Sequence, residues 1–467
     1  MSKSDERRWQ QQPDTFGTAL MDAEGTAAST SGTGDAWQSM PLREAGVSLI
    51  DCEHRTPPAS EDGYAYIGIP QVKDGRIDPD GARCIAREHY REWTRKANPQ
   101  PFDIVLSRRC NPGETGFVSP GFVEFALGQN LVLLRSDGKR VFRPFLRWLV
   151  RGPRWWAEVS KYINVGAVFD SLRCADIPGF RLPIPPLSEQ RAIAHILGTL
   201  DDKIELSRRM NGTLEAMARA LFKSWFVDFD PVRAKMEGRD TGLPRVIADL
   251  FPDRLVDSEM GEIPEGWEIF RLDRLADHHT KSTSPLRSPE EEYEHFSIPA
   301  YDAGQRPSIE LGAAIRSNKT VVRDDAVLLS KLNPRIPRVW MAANSKGRRQ
   351  VCSTEFLVFT PQPPASRSLL FALFVDQSFR ALLKSMVTGT SKSHQRVPPK
   401  ALKTQEVLAG SPRVFRVFGE IAGSLLARVL RNRSEVTTLA ALRDTLLPKL
   451  ISGEMRAREA SKVEAVA

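Results

Sequence analysis

A chain of 467 residues with 41% hydrophobic content is long enough for two or three domains, each with its own buried core. Its 66 Lys and Arg against 58 Asp and Glu leave a net charge of +8, a modest bias toward a polyanionic partner. No apolar run approaches the roughly 18 residues of a membrane helix and no signal-peptide pattern opens the sequence, which excludes a membrane-spanning protein and makes a cytoplasmic one the expectation. Cys52, Cys84, Cys110, Cys174 and Cys352 are scattered, without a Cys-x-x-Cys pair. That pattern predicts reduced thiols rather than a disulfide framework or a zinc site.

In chain order, residues 1–38 read as a flexible tail, because GTAASTSGTGDAW is small, polar and unable to bury surface. Residues 39–185 form a first mixed domain, in which β-like runs (YAYIGI, FDIVLS, LVLLRS) alternate with turn signals such as Asp78-Pro79-Asp80-Gly81. The Trp-rich stretch FLRWLVRGPRWWAEV follows as helix. Residues 186–226 predict a long helix capped at Ser188 behind Pro185-Pro186. Its stripe runs Ile193, Leu197, Leu200, Ile204, Ser207, Asn211, Leu214, Ala218, Leu221, in alternating steps of four and three, as a helix held against one partner helix requires. Glu205–Arg209 and Glu215–Arg219 are placed as i,i+4 pairs. Residues 227–262 read as a linker with short helices.

Residues 263–410 repeat the mixed pattern (WEIFRL, HFSIPA, DAVLLS, EFLVFT) and close with one apolar helix, LLFALFVDQSFRALL. A second long helix spans 411–450, opened by Ser411-Pro412 and ended by Pro448 and Gly453. Its seam is Phe418, Ala422, Leu425, Val429, Asn432, Val436 and Leu439, continued by Leu446. Residues 451–467 form a tail. Two rods of about 35 residues span roughly 50 Å each, and their equal length suits an antiparallel pair in which Asn211 and Asn432 can fix register.

The sequence also repeats internally. DIVLSRRCNP (103–112) and DAVLLSKLNP (325–334) align Asp103 with Asp325, Val105 with Val327, Leu106 with Leu328 and Asn111-Pro112 with Asn333-Pro334. Ile69-Pro70 with Ile298-Pro299, Gly166 with Gly389, and Thr213-Leu214 with Thr438-Leu439 follow in the same order at nearly the same spacing.

Catalytic motifs are missing. There is no phosphate-binding Gly-rich loop, no methyl-donor loop, and no Asn-Pro-Pro-aromatic element of a DNA adenine methyltransferase. His278-His279 and His394 read as solvated loop residues, and no metal-ligand set stands out. The positive candidates are polar loop residues at matched places: Ser107, Arg108, Arg109 and Asn111 in the first repeat, and Ser330, Lys331 and Asn333 in the second. Lys392, Ser393, Gln395 and Arg396, just before the second rod, join them. Arg can bond guanine through two donors, and Lys, Ser, Asn and Gln can hold phosphates or base edges.

Four blocks of text go further. PIPPLSEQRAIAHILGTLDDKIEL (183–206), LEAMARALFKSWFVDFDPVRAK (214–235), GEIPEGWE (261–268) and LAALRDTLLPKLISGE (439–454) closely resemble the conserved regions of specificity subunits of type I restriction–modification systems. The blocks cover about a seventh of the chain. The resemblance implies an α+β fold: two mixed α/β target-recognition domains separated by an antiparallel coiled-coil helix pair, with a circular pseudo-two-fold repeat. It implies a non-catalytic subunit that binds double-stranded DNA and reads an asymmetric two-part site, the long rods exceeding one DNA turn of about 34–36 Å. The implied partners are two copies of a methyltransferase subunit and an ATP-dependent translocase–nuclease subunit. S-adenosylmethionine, ATP and Mg2+ would belong to those partners and no cofactor to this chain. Trp225, Phe226 and Phe229 are then expected to touch a partner subunit. Two other readings stay open: a coiled-coil scaffold for proteins only, distinguished by lack of competition from specific duplex DNA, and a self-contained DNA-modifying enzyme, distinguished by methylation or cleavage by the chain alone.

Overall fold

The computed structural model describes residues 37–122, 124–166, 169–343, 347–388 and 395–459; the tail expected over 1–38 lies almost wholly outside them. Two compact units result. One contains residues up to 199 together with 443 onward, and the other residues 200–442. Each therefore holds one mixed domain and parts of both long helices, and the chain returns at its C-terminal end to the unit in which it began.

The first unit is built on a four-stranded antiparallel sheet in the order Val47–Asp51, Leu131–Ser136, Ile104–Ser107, Thr115–Phe117. The runs IVLS and LVLL are buried at every position, so both faces of this sheet are covered. That is why they read as continuous apolar runs rather than as alternation. A second sheet orders Arg83–Ile85, Tyr64–Ile67 and Phe125–Leu127, with the last two parallel. The Trp-rich stretch breaks in two, Leu146–Leu149 and Pro153–Tyr162, because Gly152-Pro153 starts a new helix with Pro at its first position. Gly152 also leaves room for Ile451, which lies 2.6 Å from where a Cβ would stand.

The second unit repeats the plan. Its four-stranded sheet runs Ala276–His279, Phe356–Pro361, Val327–Ser330, Val339–Met341. Its other sheet contains Ser308–Leu311, Glu292–Phe296 and Arg349–Cys352, again with the last two parallel. Strand pairing fixes the repeat register. Ser107 stands opposite Leu131 and Ser330 opposite Phe356, so Ser107 corresponds to Ser330 and Asp103 to Ala326. The Asp103/Asp325 alignment is thus one residue out, a slip that would exchange the two faces of the strand. Asp325 instead sits in the turn before the strand, with φ 58°. The apolar stretch near 370 is likewise two helices, Arg367–Val375 and Gln377–Ser385, parted at Asp376, whose carboxylate caps the second by accepting from the Ser378 amide at 2.8 Å.

The long helices span Leu187–Phe226 and Pro412–Ser452. The first starts one residue before Ser188, with the Pro186 carbonyl accepting from the Gln190 amide. Buried Gln190 then locks this start to its domain: its side-chain amide donates to the carbonyls of Pro185 and Arg140 and accepts from the Phe142 amide. The second helix runs through Pro448 and stops at Gly453, whose φ of 79° suits a glycine after a helix end. Pro448 lacks a donor for the preceding turn, yet a single missing bond so close to the end does not stop the helix.

The seam holds. Ile193, Leu197, Leu200 and Ile204 are buried, as are Val429 and Leu446. Ile204 packs with Val436, Leu439 and Ala440, and Phe222 meets Phe418 at a ring separation of 5.9 Å. Leu214, Leu221, Leu425 and Leu439 are half-buried at the margin, and Leu426 and Ala440 take the most enclosed positions. Asn211 and Asn432, 8% and 2% exposed, meet at the centre, where the Asn432 Nδ2 donates to the Asn211 Oδ1 at 2.8 Å. Glu205 pairs with Arg209 as expected, but Glu215 reaches across to Arg433 at 2.8 Å rather than along its own helix to Arg219.

Residues 227–262 are not a free linker. Phe229, Val232, Phe251 and Ile263 belong to the core of the second unit. In that core Trp225 stacks edge-on to Phe251 at 5.2 Å, and Phe226 packs on Trp267, Phe415 and Phe418. Trp225, Phe226 and Phe229 are 1%, 4% and 8% exposed. The expectation that they touch a partner subunit is therefore corrected: these rings seal the end of the helix pair against the following segment.

Candidate nucleic-acid interface

In each unit an interior strand of the four-stranded sheet ends in a tight polar loop, and the two loops are wired alike. Ser107 and Ser330 are buried, and their hydroxyls donate to the carbonyls of Arg109 and Leu332 at 3.0 and 3.1 Å. They shape the turn and are not presented to a ligand, a correction to both as surface contacts. The Arg108 amide donates to Asn130 and the Lys331 amide to Glu355; the Arg108 carbonyl accepts from Leu172 and the Lys331 carbonyl from Val397. A return strand closes each loop: Arg109 bridges Ser171, which bridges Asn164, and Leu332 bridges Arg396, which bridges Thr388. One frame thus carries Arg108, Arg109, Asn130 and Ser171 in the first unit and Lys331, Leu332, Glu355 and Arg396 in the second.

What the loops display differs. In the first, Arg109, Cys110 and Asn111 are exposed. Cys110 adopts φ 63°, and Gly113, at φ 96°, leaves no space for a Cβ against Trp156 and Val159. Arg108 points inward: it is half-buried, and its Nε is enclosed without a hydrogen-bond partner among the described residues. Its charge faces Cys52 and Cys174. Burial pushes the Cys52 thiol up to about 11, with Asp51 adding and Arg108 opposing, and burial also raises Cys174.

In the second loop Lys331 and Asn333 are half-buried, Asn333 in the left-handed region at φ 48°. Arg396 is clasped by Glu355 through both its Nε and Nη2, at 3.0 and 2.9 Å, a fork-to-fork pair that fixes one edge of the guanidinium. Gln395 lines a pocket of about 430 Å³ with Arg335, Lys384 and Val387. Arg335 and Lys384 were not among the residues expected from sequence; Arg335 lies two places past Asn333, within reach of the same loop reading. Lys392 and Ser393, with Gly389 and His394, lie outside the described residues. His278 and His279 are on a strand, not a loop. His278 packs on Phe359 with the rings tilted, and His279 Nε2 lies 2.7 Å from the Thr360 hydroxyl. Burial first, then nearby cations (Lys403 for His278, Arg323 for His279), lowers the pKa of both.

The cysteines are free, but one reading of them needs amending. Asp51, Cys52 and His54 come together with ligand atoms within 4.8 Å of one another. The set holds a single cysteine, so cysteine spacing does not reveal it, whereas the local pattern Asp-Cys-x-His does. Among the described residues no helix is long and apolar enough to cross a membrane.

Residues 54–216 match the family model described as the type I restriction modification DNA specificity domain. The chain is similar to the specificity subunits of type I restriction–modification systems. The specificity subunit of the type I restriction enzyme MjaIX from Methanocaldococcus jannaschii is 26% identical over 406 residues, covering 85% of each chain. That of the type I restriction enzyme HindI from Haemophilus influenzae is 25% identical over 407 residues, covering 76% of this chain and 86% of the relative. The crystal structure of a type I restriction–modification S subunit from M. genitalium shares the fold, with a TM-score of 0.53 at 13% identity over 90% of this chain and 98% of that one.

Proposed function

We propose that this specificity subunit reads a two-part DNA sequence, one part through the 107–114 loop and its return strand, the other through the 330–338 loop and its return strand. The duplication carries the reading: two sheets of the same strand order hold two loops of the same backbone wiring, but the side chains they display differ. One frame with two sets of displayed groups is what reading two unlike half-sites requires. Arg109 and Asn111 supply base-edge donors and acceptors on one side; Lys331, Arg335 and Lys384 supply cations suited to phosphates on the other. The subunit acts in a cytoplasmic complex, with chemistry supplied by methyltransferase subunits and an ATP-dependent translocase–nuclease. Two similar units offer two similar surfaces, consistent with two methyltransferase copies. S-adenosylmethionine, ATP and Mg2+ are bound by those partners.

The test is an exchange of residues 39–185 for the matching domain of a relative with another target. One half-site should change and the other stay. A change in both halves, or in neither, would overturn the two-module reading.

A further inference from the structure

The Val47–Asp51 strand delivers three different metal-binding groups to one spot beside the Gly128–Asn130 turn. His54 is the informative one. Its Nδ1 lies 3.1 Å from the Gln129 carbonyl oxygen. A carbonyl only accepts, so Nδ1 carries a proton. Nε2 faces the Asp51 Oδ2 at 3.0 Å, and this contact requires a shared cation: the second proton of an imidazolium, or a metal ion in its place. The Cys52 sulfur completes the triangle; it is buried and lies 3.3 Å from the Gly128 carbonyl. Carboxylate oxygen, imidazole nitrogen and thiolate sulfur are zinc ligands. A ring nitrogen held by a backbone carbonyl is the outer contact that orients a metal-binding histidine.

The geometry points to a zinc site formed by Asp51, Cys52 and His54, the fourth position being filled by water. On binding, the Cys52 thiol gives its proton to solvent and a sulfur–metal bond replaces the S–H bond. His54, 52% exposed, lies at the entry. The site is confined to the first unit: by strand register Thr280 and Lys281 hold the places of Asp51 and Cys52 in the second, and neither supplies the same donor.

The full chain, freed of metal with a chelator, is titrated with Co2+ as a spectroscopic stand-in for zinc, followed by displacement with Zn2+. The expected result is one equivalent bound with a near-ultraviolet thiolate-to-cobalt band that Zn2+ abolishes. His54→Ala should weaken binding by at least about tenfold, and Cys52→Ser should remove the band; Cys110→Ser, at an exposed thiol elsewhere, should change neither. Because Cys52 is buried and its variant can misfold, Asp51→Asn serves as a second ligand variant, with the same expected loss of affinity. No saturable binding, or a band untouched in both His54→Ala and Asp51→Asn, would overturn the site and leave the Asp51–His54 contact bridged by a proton alone.

Discussion

The buried amide pair between the long helices can be tested by replacing one or both partners. Asn432→Leu keeps the branching and heavy-atom count of the side chain but leaves the Asn211 carbonyl oxygen enclosed with nothing to accept, since its partner at 2.8 Å is gone. An orphaned buried polar group costs about 1–3 kcal/mol. For a unit of this size 1 kcal/mol moves the melting temperature by roughly 2–4 °C, so each single variant should melt about 2–12 °C lower. The double variant Asn211→Leu/Asn432→Leu removes both polar groups together and should regain most of that loss, because two apolar groups of matching shape need no hydrogen bond. The cycle should therefore show a coupling of about 1–3 kcal/mol. The assay is thermal unfolding of the full chain followed by circular dichroism at 222 nm, where the helix pair dominates. Strictly additive losses, or neutral single variants, would show that the two amides do not depend on each other and would refute the reasoning.

Two further outcomes are expected. Arg109→Ala should relax one base position of one half-site by about 1–3 kcal/mol, whereas Lys331→Ala should weaken all sequences alike and lower the salt slope by about one, as read from titrations against single-base variants at several salt concentrations. Because folding holds His278 and His279 below their usual pKa, the unfolded chain takes up protons first as pH falls through about 6.5. Stability should therefore drop between pH 7.5 and 5.5, and the drop should be smaller in His278→Gln/His279→Gln, where an equal or steeper loss in thermal melts would contradict the assignment.

The helix pair was legible because its signal is local. A 3.5-residue stripe from Ile193 to Leu221 specifies a partner helix without knowing which one, and the matching stripe from Phe418 to Leu446 supplied it. The strands were legible as apolar runs for the same reason. What depended on distant residues was not. Trp225, Phe226 and Phe229 look like a surface cluster until Phe251, Trp267, Phe415 and Phe418 are brought around them. The repeat was visible but misregistered by one, because Asp325 mimics Asp103 in sequence while serving a turn. In sequence Ser107 and Ser330 offer free hydroxyls, which the fold directs to backbone carbonyls. Arg335 and Lys384 share a pocket only once helix and loop are side by side.

The most direct measurement is selection of duplexes from a random pool by the assembled methyltransferase complex containing this subunit, followed by sequencing. Two fixed blocks separated by an unread spacer of constant length are predicted, with the residue 39–185 exchange altering one block. A single contiguous motif, or no sequence preference at all, would contradict the account.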